Sequence, residues 1–500
     1  MSDLLLVPLF VLYFAVVGVL SIYGLNFLFL TCASLARREL PREPPPPAEW
    51  PRLTVQVPIY NELYVAERVV RAVSQLDYPR DRLEIQILDD STDETSTIVG
   101  RLIARLRSNG LDIQHIRRGN RAGFKAGALA EGLARARGDF IAIFDADAVP
   151  PKDYLKRILP RFDHPRIAFV QARWTHLDRD HSLLTRLQAM AIDAHFRVEQ
   201  FSRHALGLWF NFNGSGGVWR REAIEEAGGW SVDTLAEDLD LSYRAFLAGW
   251  RGRYLDDVEI PAELPASIAA YRRQQHRWAR GSLECASKLL PTVWRSKSPW
   301  LVKLAATLHM TGYAVHLLLL LLTLIYPAIL LLGPSYLGLS SLFGIAYLFN
   351  VSALGPMLFL YAGQRQQGRA GLLRLPAVLL LSAMGAGMML NTARAALDIL
   401  RHKDRVFERT PKYGLEHKGQ EWEARRYQLD LDRIVIGEIL FFLLCAASAL
   451  WAAAIGNVFI AFYAGLFALG FGTVIALSLR QAIRLAEQRI AARRSPADAV

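Results

Sequence analysis

Cysteine is scarce in this sequence. Cys32, Cys285 and Cys445 are three in 500 residues, too few and too scattered for a disulfide framework or a cysteine-built metal cage. Charge is missing over long stretches: residues 4–30 and 304–361 contain no Lys, Arg, Asp or Glu. No fixed internal period is visible, which argues against a repeat architecture. Hydrophobic residues make up 52% of the chain while charged residues still reach 21%. That combination excludes a pure membrane bundle, a disordered chain and a fibrous repeat, and 500 residues imply two or three domains. The 58 Lys and Arg against 47 Asp and Glu give a formal charge of +11. In a chain with apolar spans, such an excess reads first as cytoplasmic retention of basic residues. The basic residues cluster beside those spans and form no separate face, so nucleic acid is not expected as a partner.

Residues 4–30 are too long for a signal-peptide core and lack a basic leader, so 1–33 reads as a retained membrane helix. Arg37, Arg38 and Arg42 follow and place that flank in the cytoplasm. Residues 34–50, with PREPPPPAEWP, read as a stiff proline-rich linker. Residues 301–363 read as two spans split at Gly333-Pro334-Ser335, and 434–480 as two more split near Gly456-Asn457, with a cytosolic tail over 481–500. Residues 371–400 are apolar enough to span. A crossing there would put the basic stretch 401–433 outside, so the charge rule predicts an interfacial helix.

Residues 51–270 alternate strand and helix patterns. Strands are predicted at Leu53–Pro58, Leu83–Leu88, Ile113–Arg117 and Phe140–Phe144, with helices over 62–75, 92–106, 125–137 and 238–249. This rhythm predicts an α/β domain with a Rossmann-like, mostly parallel sheet, joined to an α-helical transmembrane domain. Ligands of such sheets sit beyond the carboxyl ends of the strands, where the acidic clusters fall. Asp145-Ala-Asp147 ends an apolar strand, and two carboxylates at that spacing can converge on one hard cation; a solvated loop would look similar. Asp89-Asp90 suits a nucleobase or ribose contact, or a helix cap with Ser91. Lys125, between Gly123 and Gly127, suits a phosphate, or a plain helix start. Glu237-Asp238 opens a helix, where acids are favourable in any case; there a carboxylate can also act as general base. Gln274, Arg277 and Trp278 lie in YRRQQHRWARG, which fits diphosphate and sugar contacts as well as anchoring at lipid headgroups.

Taken in order, these motifs resemble the processive family 2 glycosyltransferases, closest to the cellulose synthase-like A and C group: glucomannan 4-beta-mannosyltransferases and beta-glucan synthases. The strings carrying the resemblance are VQVPIYNE, IQILDDSTDET, KAGALAEG, FDADAVP, VQARWTHLD, FNGSGGVWR, EAGGW and YRRQQHRWARG, densely over residues 50–300. The resemblance implies a GT-A fold and a nucleotide-sugar site formed by Tyr60, Glu62, Asp89, Asp90, Lys125, Asp145 and Arg277. It implies Asp145 and Asp147 as ligands of Mg²⁺ or Mn²⁺, and Asp238 as base with Glu237 beside it. Gln274, Trp278, Asn213 and Gly214 would face the acceptor. Phe407, Thr410 and Lys412 are similar to a mobile gating loop, within a cytosolic segment 401–433. Two departures stand out: Ala236 replaces a usual Thr before Glu-Asp, and Arg409 replaces the loop's usual Val.

The implied activity is an inverting, processive β-hexosyltransferase that polymerises UDP-glucose or GDP-mannose into a β-linked, 1,4-type glucan or mannan. Its partners would be the nucleotide-sugar donor, a growing polysaccharide and the lipid bilayer, with the catalytic domain cytoplasmic and the membrane a bacterial inner membrane. Polymer translocation through the flanking spans belongs to the same resemblance. A glycolipid synthase, a transporter with a nucleotide-binding domain and a non-enzymatic scaffold are the competing readings. Oligomeric state is left open.

Overall fold

The computed structural model describes residues 2–36, 44–332, 351–369, 371–417 and 419–494. Arg37, Arg38, Arg42, Gly333-Pro334-Ser335 and the end of the tail lie outside the described residues.

Seven strands form one sheet in the order β3-β2-β1-β4-β6-β5-β7. They are β1 Leu53–Ile59, β2 Leu83–Asp89, β3 Ile113–Arg117, β4 Phe140–Ile143, β5 Ile167–His176, β6 Gly217–Arg220 and β7 Arg251–Ala262. β1 pairs in parallel with β2 and β4, β2 with β3, and β5 with β7. Only β6 runs against its neighbours β4 and β5. The mostly parallel sheet expected from the sequence is therefore formed. β1 and β2 are buried along almost their whole length, because helices cover both faces of the sheet. Their polar residues are satisfied inside it: Gln56 Nε2 donates to Gln86 Oε1 at 3.0 Å, and Thr54 Oγ1 donates to Glu84 Oε2 at 2.7 Å.

Two helices begin later than the periodicity predicts, at Ala66 and Thr95. The cause is a tie between the loops after β1 and β2. Asn61 Oδ1 accepts from the Thr92 amide at 2.8 Å, and the Asn61 amide donates to Ser91 Oγ at 2.9 Å. These bonds hold both loops out of helical geometry, with Asn61 itself at φ 53°. Strands β5, β6 and β7 were not among the four expected. β7 (RGRYLDDVEIPA) carries five charged residues, which disguise a strand, yet they are paired locally: Asp257 with Arg161 at 3.0 Å and Asp256 with Arg197 at 2.5 Å.

All strands but β6 point the same way, so the loops after β1, β2, β4 and β7 emerge at one edge. β6 runs in reverse, so the loop that leads into it, 211–216, reaches that same edge. This topology gathers the sequence motifs.

Among the described residues, five helices are long and apolar enough to cross a membrane: Val7–Ala36, Ala314–Leu331, Leu372–Leu400, Ile434–Ala454 and Val458–Ile490. The third is broken at Met388 into Leu375–Gly387 and Met389–Leu400. The first helix crosses the Gly355–Gln366 helix so closely that a Cβ on Gly24 would lie 2.2 Å from the Ser352 carbonyl oxygen. The soluble and apolar parts are tied by buried polar contacts. Arg272, on the Ile268–Arg295 helix, pairs with Glu438 at 2.5 Å and donates to Ser478 Oγ at 2.9 Å. Glu438 lies inside the apolar Ile434–Ala454 helix, and this arginine is its partner.

Candidate active site

One cavity opens at the shared strand edge. Every candidate site residue named from the sequence lines it except Asp89. Asp89 is 1% exposed; its Oδ2 lies 2.8 Å from His115 Nε2 and its Oδ1 accepts from the Ser91 amide. It therefore shapes the turn after β2, and Asp90 is the member of the pair that faces the cavity, held there by Arg118 at 2.9 Å.

Lys125 enters from the first turn of the Phe124–Arg135 helix. Its ammonium donates to Asp145 Oδ1 at 2.6 Å and to the Gly214 carbonyl at 2.9 Å, and lies 3.7 Å from Glu237 Oε1. Burial pulls this ammonium's pKa down, but Asp145 and Glu237 outweigh it and hold it above the ordinary lysine value. Gly214 sits at φ 75°, and a Cβ there would stand 3.0 Å from Asp238 Oδ2 and 3.3 Å from Lys125 Nζ. Only glycine allows the loop before β6 to pass that close to the Asp238 carboxylate. Asp238 lies in the first turn of the Glu237–Leu247 helix, where its Oδ1 accepts from the Leu239 amide at 2.8 Å. Burial and the adjacent Glu237 raise its carboxyl to about 7, against the pull of Lys125.

The Asn213 amide group is fixed from behind. Its Nδ2 lies 2.9 Å from His195 Nε2, and its Oδ1 accepts from Gln200 Nε2 at 2.6 Å. His195 and Gln200 bound a π-helical turn, a geometry that recurs where side chains must be re-aimed. Gln274, Arg277 and Trp278 reach the cavity from the Ile268–Arg295 helix.

The segment after Leu400 lies across this opening. Phe407 stacks against Phe124 with ring centroids 6.2 Å apart, and the Arg277 guanidinium lies 4.3 Å from the Phe407 ring centroid. Thr410 is buried, and Lys412 donates to Asp147 Oδ2 at 2.7 Å. Arg409, the departure from the loop pattern, has an evident partner: it contacts Glu62 at 3.5 Å and the Asn61 carbonyl, beneath the Tyr427 ring at 4.1 Å. Burial raises the Glu62 carboxyl to about 8 despite Arg409, and Glu62 Oε2 has no hydrogen-bond partner.

Asp145 and Asp147 both face the cavity, and each already holds a lysine ammonium. Burial pushes the Asp147 carboxyl up, but Lys412 and the Glu263 amide outweigh it and keep the group below its ordinary value. Positive charge thus stands where a hard cation would stand. Among the described residues no group of three or more His, Cys, Asp or Glu converges as a closed cage. A pair of carboxylates fits an ion of the Mg²⁺ or Mn²⁺ kind, which completes its shell with water and substrate phosphates.

Sequence reasoning missed several cavity residues. Arg121 lies 3.4 Å above the Tyr60 ring, a cation–π contact that the charge of RRGNRAGFKAG could have suggested. Trp174, His176 and Glu263 also line the cavity, from β5 and the end of β7. Trp174 and His176 lie inside VQARWTHLD, a string that carries the resemblance but was given no role in the site, whereas nothing local marks Glu263.

A mostly parallel sheet with two acids after an inner strand, a helix-borne carboxylate and a lysine between them belongs to the GT-A type of fold. Residues 51–281 match the family described as "Glycosyltransferase like family 2", and the chain carries a family 2 glycosyltransferase domain. It is 44% identical over 255 residues to glucomannan 4-beta-mannosyltransferase 2 of Arabidopsis thaliana, covering 50% of this chain and 48% of that one. It is 44% identical over 260 residues to probable glucomannan 4-beta-mannosyltransferase 7 of Oryza sativa subsp. japonica, covering 51% and 44%. The chain spans about half the length of the curated relatives it matches. Among solved structures, the mannosyltransferase PcManGT from Pyrobaculum calidifontis, in complex with GDP-Man and Mn²⁺, aligns with a TM-score of 0.51 at 23% identity, over 79% of this chain and 100% of that one. That likeness is one of fold.

Proposed function

We propose that this protein is a membrane-embedded, inverting, processive β-hexosyltransferase that builds a 1,4-linked mannan or glucan from GDP-mannose or UDP-glucose. The observation that carries the reading is the convergence of Lys125, Asp145, Asp147, Asp238 and Arg277 on one cavity at the strand edge. The names of the curated relatives favour mannose as the sugar and a β-1,4 linkage.

In this reading Asp90 and the Tyr60–Arg121 pair receive the nucleoside. Lys125 and Arg277 neutralise the diphosphate as it leaves, since fixed cations in a buried site stabilise developing charge strongly. Asp238 takes the proton from an acceptor hydroxyl, which attacks the anomeric carbon from the face opposite the diphosphate and gives a β-linkage. Gln274, Trp278 and Asn213 hold the acceptor end. Asp145 and Asp147 would hold a divalent ion, which when bound supplies further charge neutralisation on the diphosphate.

With the strap over residues 401–415 seated, the cavity measures about 210 Å³. Small-molecule sites run from about 300 to 1,000 Å³, so the strap has to move for a nucleotide sugar to be admitted. Residues 401–406 are exposed throughout, which supports their role as the moving part.

The topology we propose keeps the catalytic domain cytoplasmic and 371–400 in the interface, with the remaining apolar helices spanning. The break at Met388 supports this: each half, at about 1.5 Å per residue, is about 20 Å long against a hydrocarbon core of about 30 Å. A bacterial inner membrane in particular has no support, because the curated relatives named above come from plants. Export of the polymer between the spans is part of the same proposal.

The test is to incubate membranes containing the protein with each labelled sugar nucleotide and digest the product with linkage-specific hydrolases. A polymer cut by a β-1,4-mannanase or β-1,4-glucanase is expected. A lipid carrying a single hexose would overturn processivity, and no transfer from any donor would overturn the reading as a whole.

A further inference from the structure

The strap and the acidic loop after β4 meet at a residue to which the mechanism above gives no role. Glu263 follows the end of β7 and is 3% exposed. Each of its carboxylate oxygens accepts a backbone amide from the strap, Oε1 from Tyr413 at 2.7 Å and Oε2 from Leu415 at 3.1 Å. Arg68 adds a further bond to Oε2 at 3.2 Å. The main chain of the same residue faces the other way. Its amide donates to Asp147 Oδ2 at 3.1 Å, and its carbonyl accepts from Lys412. Lys412 in turn reaches that same Asp147 oxygen at 2.7 Å.

Tyr413 and Leu415 are fully buried in a small apolar cluster with Ala266, Trp422 and Leu485, so this part of the strap is anchored, whereas 401–406 is exposed. A carboxylate that satisfies two buried amides fixes the backbone between them, because leaving either amide unpaired costs more than the bond itself returns. The position of Lys412 is therefore set by Glu263 and not by the flexible half of the strap.

We infer that Glu263 is a positioning residue that seats the strap and thereby places Lys412 on Asp147 as a built-in occupant of the cation site. The inference rests on the transfer reading for the role of Asp147, but its geometry is independent of which sugar is moved. Lys412 and a divalent ion compete for one carboxylate oxygen, so seating the strap and loading the metal oppose each other. The Asp147–Glu263 amide bond is main-chain and survives substitution of the Glu263 side chain.

Two variants of the full chain in detergent or nanodiscs separate the parts. Glu263→Gln keeps the shape but cannot accept from both amides. Trypsin cleavage after Arg409 and Lys412, relative to cleavage after the already exposed Lys403, is expected to rise about tenfold. Mn²⁺ binding, followed by electron paramagnetic resonance without nucleotide sugar, is expected to tighten about tenfold as the ammonium leaves Asp147. Lys412→Met is expected to tighten Mn²⁺ binding to the same degree while cleavage after Arg409 stays as in the parent. Unchanged cleavage in Glu263→Gln, or Mn²⁺ affinity that is unchanged or weaker in either variant, overturns the inference. Neither readout requires turnover, so a protein that transfers no sugar would sink the proposed activity and still leave this test decided.

Discussion

Lys125 Nζ lies 2.6 Å from Asp145 Oδ1, and through that contact a helix start and a strand end twenty positions apart share one charge. The same ammonium lies 3.7 Å from Glu237, more than a hundred residues further on. The pair holds the acidic loop in place before any diphosphate arrives. The lysine is buried and fixed, so it has little reorganising to do when negative charge builds on a leaving group.

Substituting Asp238, the proposed base, should separate chemistry from binding. Asp238→Asn is expected to lower kcat by about 10²–10⁴-fold while the KM for the nucleotide sugar changes little. Steady-state kinetics on purified protein, with a folding control by thermal melting, checks this. Retained turnover would remove Asp238 from the role.

The pH profile follows from the same residue. Burial and Glu237 raise the Asp238 carboxyl to about 7, so below that pH the group is neutral and unable to take a proton. Activity is expected to climb with pH through about 7 and then level off, as one ionisation. A flat profile between pH 5 and 8 would show that Asp238 titrates elsewhere or is not the base.

Arg121 over Tyr60, 3.4 Å from the ring centroid, frames the end of the cavity that the proposed function assigns to the nucleoside. Arg121→Ala is expected to raise the KM for the donor about 3- to 30-fold with kcat nearly unchanged, the worth of a cation–π contact of about 0.5–2 kcal/mol. An effect confined to kcat would place Arg121 at the reacting centre instead.

The Arg272–Glu438 pair is buried on both sides, at 3% and 0% exposure. Breaking it with Arg272→Met is expected to cost about 3–5 kcal/mol, because an uncompensated charge is left inside. The double variant Arg272→Met with Glu438→Leu is expected to recover most of that loss. Thermal melting in detergent of the two variants against the parent distinguishes a clamp from a bystander.

Chelation gives the last check. Removal of divalent ions should abolish transfer, and Mn²⁺ or Mg²⁺ should restore it in the parent, whereas Asp147→Asn should need a higher ion concentration. Full activity in the presence of chelator would mean that Lys125, Lys412 and Arg277 suffice to hold the diphosphate.

Much of the site was legible because its parts are short and local. Asp145-Ala-Asp147, Glu237-Asp238 and Gln274-x-x-Arg277-Trp278 each stand where a strand ends or on a helix, and periodicity alone located most of those places. Asp89 and Asp90 were not separable in sequence, because which of two adjacent acids turns inward depends on His115 and Arg118, contributed by and just after β3. Glu263 was invisible, since its partners lie 150 and 152 positions away in the strap.

The sequence by itself determined the alternation that makes a parallel sheet, the apolar runs and the order of the charged motifs, because each depends on neighbours within one or two turns of chain. Tertiary structure alone decided that β6 runs in reverse, bringing Gly214 to within contact of Asp238, and that a distant strap lays Lys412 on Asp147. Those arrangements are set by long-range packing and by where buried charges find partners, and no local pattern encodes the meeting of segments so far apart.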